Sequence, residues 1–147
     1  MLEEVRKIIN ENYNEENAQK MASYMKNNFM FAGIPAPDRK KLFAPLIKKY
    51  AKEPLNWEIV FSLWNEEYRE AQYVALEYLQ KHHKELTSSD IENLKYLIVN
   101  KSWWDTVDKI DSLVGEIVLR DNKLKITMLE WASSDNIWLR RVAIDFQ

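Results

Sequence analysis

Apolar residues recur along most of the chain at steps of three and four, the spacing that gathers them on one face of an α-helix. This pattern predicts helices over residues 2–12, 15–28, 37–52, 55–65, 67–82, 89–99, 103–120, 122–132 and 135–146. Gly33-Ile34-Pro35-Ala36-Pro37 reads as an extended break, because a residue that precedes proline avoids the α region. Pro37 then suits the first turn of the next helix. Ser89-Asp90-Ile91-Glu92 has the spacing of a capping box, and Ser134 and Asp135 offer a second N-cap. With two glycines and four prolines in 147 residues, there is little turn chemistry for strands, and the expected class is all-α.

The helical segments also repeat. Val74-Ala75-Leu76-Glu77-Tyr78 is matched in residue type by Val142-Ala143-Ile144-Asp145-Phe146, 68 residues further on, or two units of 34. Helix pairs recurring at that period predict a HEAT-like α-solenoid of paired antiparallel helices, with residues 1–147 as one repeat domain. The chain stops at Ile144-Asp145-Phe146-Gln147, inside a predicted helix that is still apolar. A solenoid needs a polar terminal cap, so the expectation is a C-terminally truncated chain or a terminus covered by a partner.

One predicted helix carries more than a core stripe. At 100° per residue, Trp103, Val107, Ile110, Val114 and Ile117 share one arc, an ordinary buried face. Trp104, Asp108, Asp111 and Gly115 share the neighbouring arc, and Trp104 and Asp108, four apart, touch on the helix surface. The plain reading is that Trp104 packs under another helix while Asp108 pairs with a base. The functional reading is a seat for a cation, since an aromatic face attracts cations through its quadrupole and a carboxylate adds charge. An N3- or N7-alkylated purine is already cationic and leaves readily. The group needing stabilisation is the sugar as it gains oxocarbenium character, and an aromatic face with an aspartate suits that charge. The aspartate could also orient or deprotonate the attacking water.

Composition narrows the chemistry from the other side. The chain has no cysteine, hence neither disulfides nor thiolate ligands. His82 and His83 are its only histidines; as sequence neighbours they point apart on a helix and make a poor metal pair. No Gly-rich phosphate loop and no Ser/His/Asp or Cys/His arrangement appears, so neither a metal nor a nucleotide cofactor is expected. No apolar run reaches a membrane-spanning length and the first residues lack a signal peptide's apolar centre, which makes the cytoplasm the simplest address. A formal charge of −2 does not advertise nucleic-acid binding; a DNA-binding role would need the basic residues gathered on one face.

Four ordered segments resemble one family, the AlkD-type DNA alkylation-repair glycosylases with HEAT-like repeats. They are Met21-Ala22-Ser23-Tyr24-Met25-Lys26-Asn27-Asn28-Phe29 followed by Gly33-Ile34; Pro37-Asp38-Arg39; Lys101-Ser102-Trp103-Trp104-Asp105-Thr106-Val107-Asp108; and Ser134-Asp135-Asn136-Ile137-Trp138-Leu139-Arg140-Arg141. By position, the resemblance implies that Asp108 is the catalytic aspartate, Trp104 an active-site tryptophan and Arg141 an active-site arginine. It also implies that Tyr24 lies near the lesion. The implied substrate is duplex DNA containing 3-methyladenine, 7-methylguanine or some bulky adducts, released without a flipped-base pocket. The implied process is base excision repair in bacteria, by a monomer. Members of the family continue through further C-terminal repeats with another active-site tryptophan, and some members lack the catalytic residues.

Other residues divide between ordinary and functional readings. Arg141 either pairs with Asp145, one turn on, or clamps a phosphate with its forked donors; the resemblance favours the clamp. Arg39-Lys40-Lys41 and Lys48-Lys49 are dense but look like a solvated helix face, whereas Tyr24, Lys26, Lys101 and Arg140 flank the family segments and are the expected DNA contacts. Trp57, Trp64, Trp131 and Trp138 sit among apolar neighbours and are expected in the core. Beside the glycosylase stand two other expectations: a non-catalytic DNA-binding helical-repeat protein, and a protein-interaction scaffold.

Overall fold

The computed structural model describes residues 1–145; Phe146, the last position of the second repeat segment, and Gln147 lie outside the described residues. Among the described residues are nine α-helices and no strand, only a lone bridge between Met30 and Tyr68. None of these helices is long and apolar enough to cross a membrane.

The helices fall into two compact units. The first, Met1–Lys81, holds α1 (Leu2–Glu11), α2 (Glu15–Tyr24), α3 (Ala36–Ala51), α4 (Trp57–Trp64) and α5 (Arg69–Lys81). Here α4 and α3 both pack on α5, and α1 packs on α3 and α4. The second begins at His82 and holds α6 (Ile91–Val99), α7 (Trp104–Arg120), α8 (Leu124–Ala132) and α9 (Ile137–Asp145). Within it α6 pairs with α7 and α8 with α9, while α9 also packs on α6 and α7. Connections of a few residues oblige such sequential partners to run antiparallel.

Most helix ends fall within one or two residues of expectation; three depart from it in their capping or by more. The capping box is formed by Thr87 and Asp90 around a short 3₁₀ turn at Ser88–Asp90, not by Ser89 and Glu92. The cap of α9 is Asn136, whose Oδ1 accepts the amides of Trp138 and Leu139, while Ser134 accepts only the Asn136 amide. The second helix ends at Tyr24 instead of running to residue 28, because Lys26 and Asn27 turn left-handed and the Asn27 amide closes back on the Ala22 carbonyl. Each difference moves a terminus by the few residues that periodicity leaves open.

The core of the first unit is built around a buried carboxylate. Glu70 is sealed from solvent, and its two oxygens accept the amides of Ala32, Gly33 and Ile34 at 2.9–3.1 Å. Its neighbour Arg69 is equally buried, with its guanidinium 3.7 Å from the centre of the Phe29 ring. Gln72 donates to the carbonyls of Leu63, Trp64 and Glu66, satisfying the C-terminal end of α4. Gly33 sits at φ +87°, and a Cβ there would come within 2.1 Å of the Asn14 carbonyl oxygen and 2.7 Å of the Ala18 amide. Both obstacles are backbone and cannot swing away. Gly33→Ala is therefore expected to cost about 2–4 kcal/mol of stability, read from urea unfolding. An unchanged midpoint would mean that the 33–35 segment relaxes without loss.

Candidate functional site

The second unit brings Trp104, Asp108 and Arg141 into one constellation. Lys101, at φ 55°, turns the chain after α6, and Trp103 is extended, so α7 begins at Trp104. Val107, Ile110, Val114 and Ile117 are buried, as the apolar stripe requires. Trp103 is different: it precedes the helix and is half-buried, its ring centre 6.2 Å from that of Trp138. Trp104, in the first turn, is 50 % exposed, and Asp108 one turn later has 49 % of its side chain exposed.

From α9, Arg141 lies across both. Its guanidinium carbon is 4.3 Å from the centre of the Trp104 ring, and its Nε donates to Asp108 Oδ1 at 3.0 Å. A longer contact, 3.5 Å, joins Nη2 to Asp108 Oδ2. Hydrogen bonding to Asp108 raises the guanidinium pKa above its ordinary value. The partner is Asp108, not the Asp145 of the ordinary reading one turn on. Helical side chains lean toward their N-terminus, which carries Arg141 toward Trp104 and away from Asp145. With 37 % of the Arg141 side chain exposed, solvent screens the pair, so it does little to hold α7 to α9.

Of the four tryptophans expected in the core, Trp138 and Trp57 are only half-buried, and Trp138 belongs to the site. Instead of joining the core with Trp64 and Trp131, which are buried, it stands edge-on to Trp104, with ring centres 5.1 Å apart and planes at 78°. Trp57 is half-buried and stacks on Phe61. The signals for Trp138 are its place in the 134–141 segment that carries the resemblance and its position three residues before Arg141, one turn away on the same face. The site is thus a T-shaped indole pair, a carboxylate and a cation already seated over both aromatic and acid.

Asp111 completes the cluster. One of its oxygens, Oδ1, is fully buried without a hydrogen-bond partner. Burial, a hydrogen bond with Asp145 and the nearby charges of Asp145 and Asp108 push its carboxyl up to about 8, against a weaker downward pull from Arg141. The sequence puts Asp111 on the same face as Asp108 but gives it no role.

The expected backbone contacts are dispersed. Lys101 lies three residues before Trp104, and Arg140 is exposed on α9 beside Arg141. Tyr24 and Lys26 belong to the first unit, where Tyr24 is 88 % exposed and Lys26 adopts φ 55°. Arg39 is no surface base: it is buried, pairs with Glu77 at 3.2 Å and lies over the Tyr73 ring. Lys40, Lys41 and Lys48 are exposed, as is Lys49, which reaches Glu4 at 3.3 Å. Among the described residues no group of three or more histidines or carboxylates converges as metal ligands.

Residues 5–147 match a family model described as DNA alkylation repair enzyme. A solved structure described as a predicted DNA alkylation repair enzyme from Enterococcus faecalis shares the fold with a TM-score of 0.83 and 32% identity. That likeness covers 92% of this chain and 65% of the other, so the present chain spans just under two thirds of its length. No curated protein matches the sequence. A match along nearly the whole sequence, joined to the same helical fold at that identity, makes this chain a member of the DNA alkylation repair enzyme family.

Proposed function

We propose that the protein is a monofunctional DNA glycosylase that hydrolyses the N-glycosidic bond of cationic N3- and N7-alkylated purines in duplex DNA. The observation that carries this reading is the seat formed by Trp104 and Asp108, which holds a planar cation, the Arg141 guanidinium, at 4.3 Å from the indole centre and 3.0 Å from the carboxylate. A site that accepts a guanidinium against a ring face and a carboxylate suits a sugar or base carrying positive charge.

In the proposed reaction the C1′–N9 bond breaks with its electron pair passing to the purine, whose positive charge is thereby neutralised. The oxocarbenium character left on the sugar is stabilised by the Asp108 carboxylate and the Trp104 face. A water oxygen bonds to C1′ and gives up a proton, with Asp108 as acceptor. Arg141 leaves the seat for a backbone phosphate, to which its forked donors are well matched. Tyr24, Lys26, Lys101 and Arg140 are the other proposed backbone contacts, positioning the duplex without reading sequence.

The test is release of free 7-methylguanine from methylated duplex DNA, by this chain and by a version extended to the length of the Enterococcus faecalis relative. Release by either supports the reading; none from both sinks it. A second reading, a DNA-binding protein without catalysis, is favoured by one feature: Arg141 already neutralises Asp108. It predicts salt-sensitive duplex binding with no base released. Under both readings, replacing Lys101 and Arg140 by alanine is expected to lower the slope of log K against log salt by about one for each residue replaced. An unchanged slope would remove these two residues from the interface.

A further inference from the structure

The acidic residues behind the Trp104–Asp108 seat outnumber the one arginine that serves them. Asp108 and Asp111 are three apart on α7, and Arg141 and Asp145 are four apart on α9, so the packing of α7 on α9 brings three carboxyl groups around one guanidinium. Arg141 is hydrogen-bonded to Asp108, while Asp111 is joined to Asp145 and has one oxygen buried without a partner.

We propose that Asp111 is a positioning residue for this seat, acting through Arg141: uncharged and bonded to Asp145 it leaves the guanidinium to Asp108, and as a carboxylate it competes for it. The inference rests on reading Trp104 and Asp108 as the reacting site. Its physical basis is that a buried carboxylate oxygen without a donor is costly, so ionised Asp111 must recruit one. Arg141 carries the only positive charge among the groups that set its protonation; the others, Asp108 and Asp145, are acids. Helix α6, also packed on α7, carries only Glu92 and Lys95 as charged residues, and neither acts on Asp111 in that balance.

The group's carboxyl, at about 8 in place of 3.8, agrees with this arrangement. Between these values the folded chain holds a proton that the unfolded chain has released. Stability therefore falls as pH rises through that window, and the dependence on this group is gone above it.

The test uses tryptophan fluorescence of the 147-residue chain from pH 6.5 to 9.5, with the melting temperature followed over the same range. Asp111→Asn keeps the shape of the uncharged form. The wild-type emission is expected to change near pH 8 as Arg141 shifts on Trp104. Asp111→Asn should abolish that change and flatten the fall in melting temperature. Trp104→Phe, which removes the reporter, should abolish the emission change while the melting trend stays. A wild-type-like emission change in Asp111→Asn overturns the proposal, and so does a wild type with no transition. Base release by the extended protein, measured in parallel, separates the two ideas. A transition that depends on Asp111 with no base released leaves the positioning role standing and removes the glycosylase reading. Base release with no such transition does the reverse.

Discussion

Asp108→Asn is expected to lower the release of 7-methylguanine by at least about 100-fold, with duplex binding retained. The amide has the shape of the carboxylate, so Trp104 and the start of α7 should stay in place. What is lost is the negative charge facing the sugar, and removing one preorganised electrostatic stabiliser typically costs about 10²–10³ in rate. Loss of a proton acceptor for the attacking water adds to this, general-base contributions being about 10²–10⁴. Half the Asp108 side chain is exposed, so the fold should hardly register the change. Arg141, released from its partner, is free for phosphate, and removing a negative charge near DNA should leave affinity equal or higher. The measurements are chromatography of freed base and fluorescence anisotropy of duplex binding. Wild-type rates in the variant would end the assignment of Asp108. Loss of both binding and melting temperature would mean that the residue is structural.

Glu70→Ala carries the largest expected cost in stability, about 3–5 kcal/mol, or a fall of about 10–15 °C in melting temperature. Three amides in a buried segment, those of Ala32, Gly33 and Ile34, lose the carboxylate they share as acceptor. Each orphaned donor costs about 1–3 kcal/mol before relaxation and entering water recover part. Glu70→Gln keeps one acceptor oxygen but turns an amino group toward the same amides, so an intermediate loss is expected. Thermal unfolding of both variants checks the order. If alanine melts like wild type, the segment before α3 finds other acceptors and the carboxylate does not hold it.

Much of the helical layout is legible in the sequence because periodicity is a property of the backbone alone. Val107, Ile110, Val114 and Ile117 are buried where the 100° step puts them, and Trp104 and Asp108 lie beside that stripe, half-exposed. Termini are less legible, since Thr87, Ser89, Ser134 and Asn136 are all competent caps and only the path of the chain selects among them. Helical spacing among apolar neighbours assigns Trp138 to the core. Its actual place depends on α9 lying against α7, and no local pattern encodes that packing.

The sequence by itself determined the all-α class, the core stripe of α7 and the juxtaposition of an indole with a carboxylate one turn apart. These follow from rise and twist within a single helix. Tertiary structure alone decided that Arg141 bonds to Asp108 instead of Asp145, that Trp138 meets Trp104 edge-on, that burial beside Asp145 pushes the Asp111 carboxyl up and that Glu70 gathers amides from a segment 36 to 38 residues away. The reason is common to all four. Which group a side chain meets across a helix interface, and how much water reaches it there, depend on packing between distant segments, and charge and hydrogen-bonding energies change most steeply with that distance and that water.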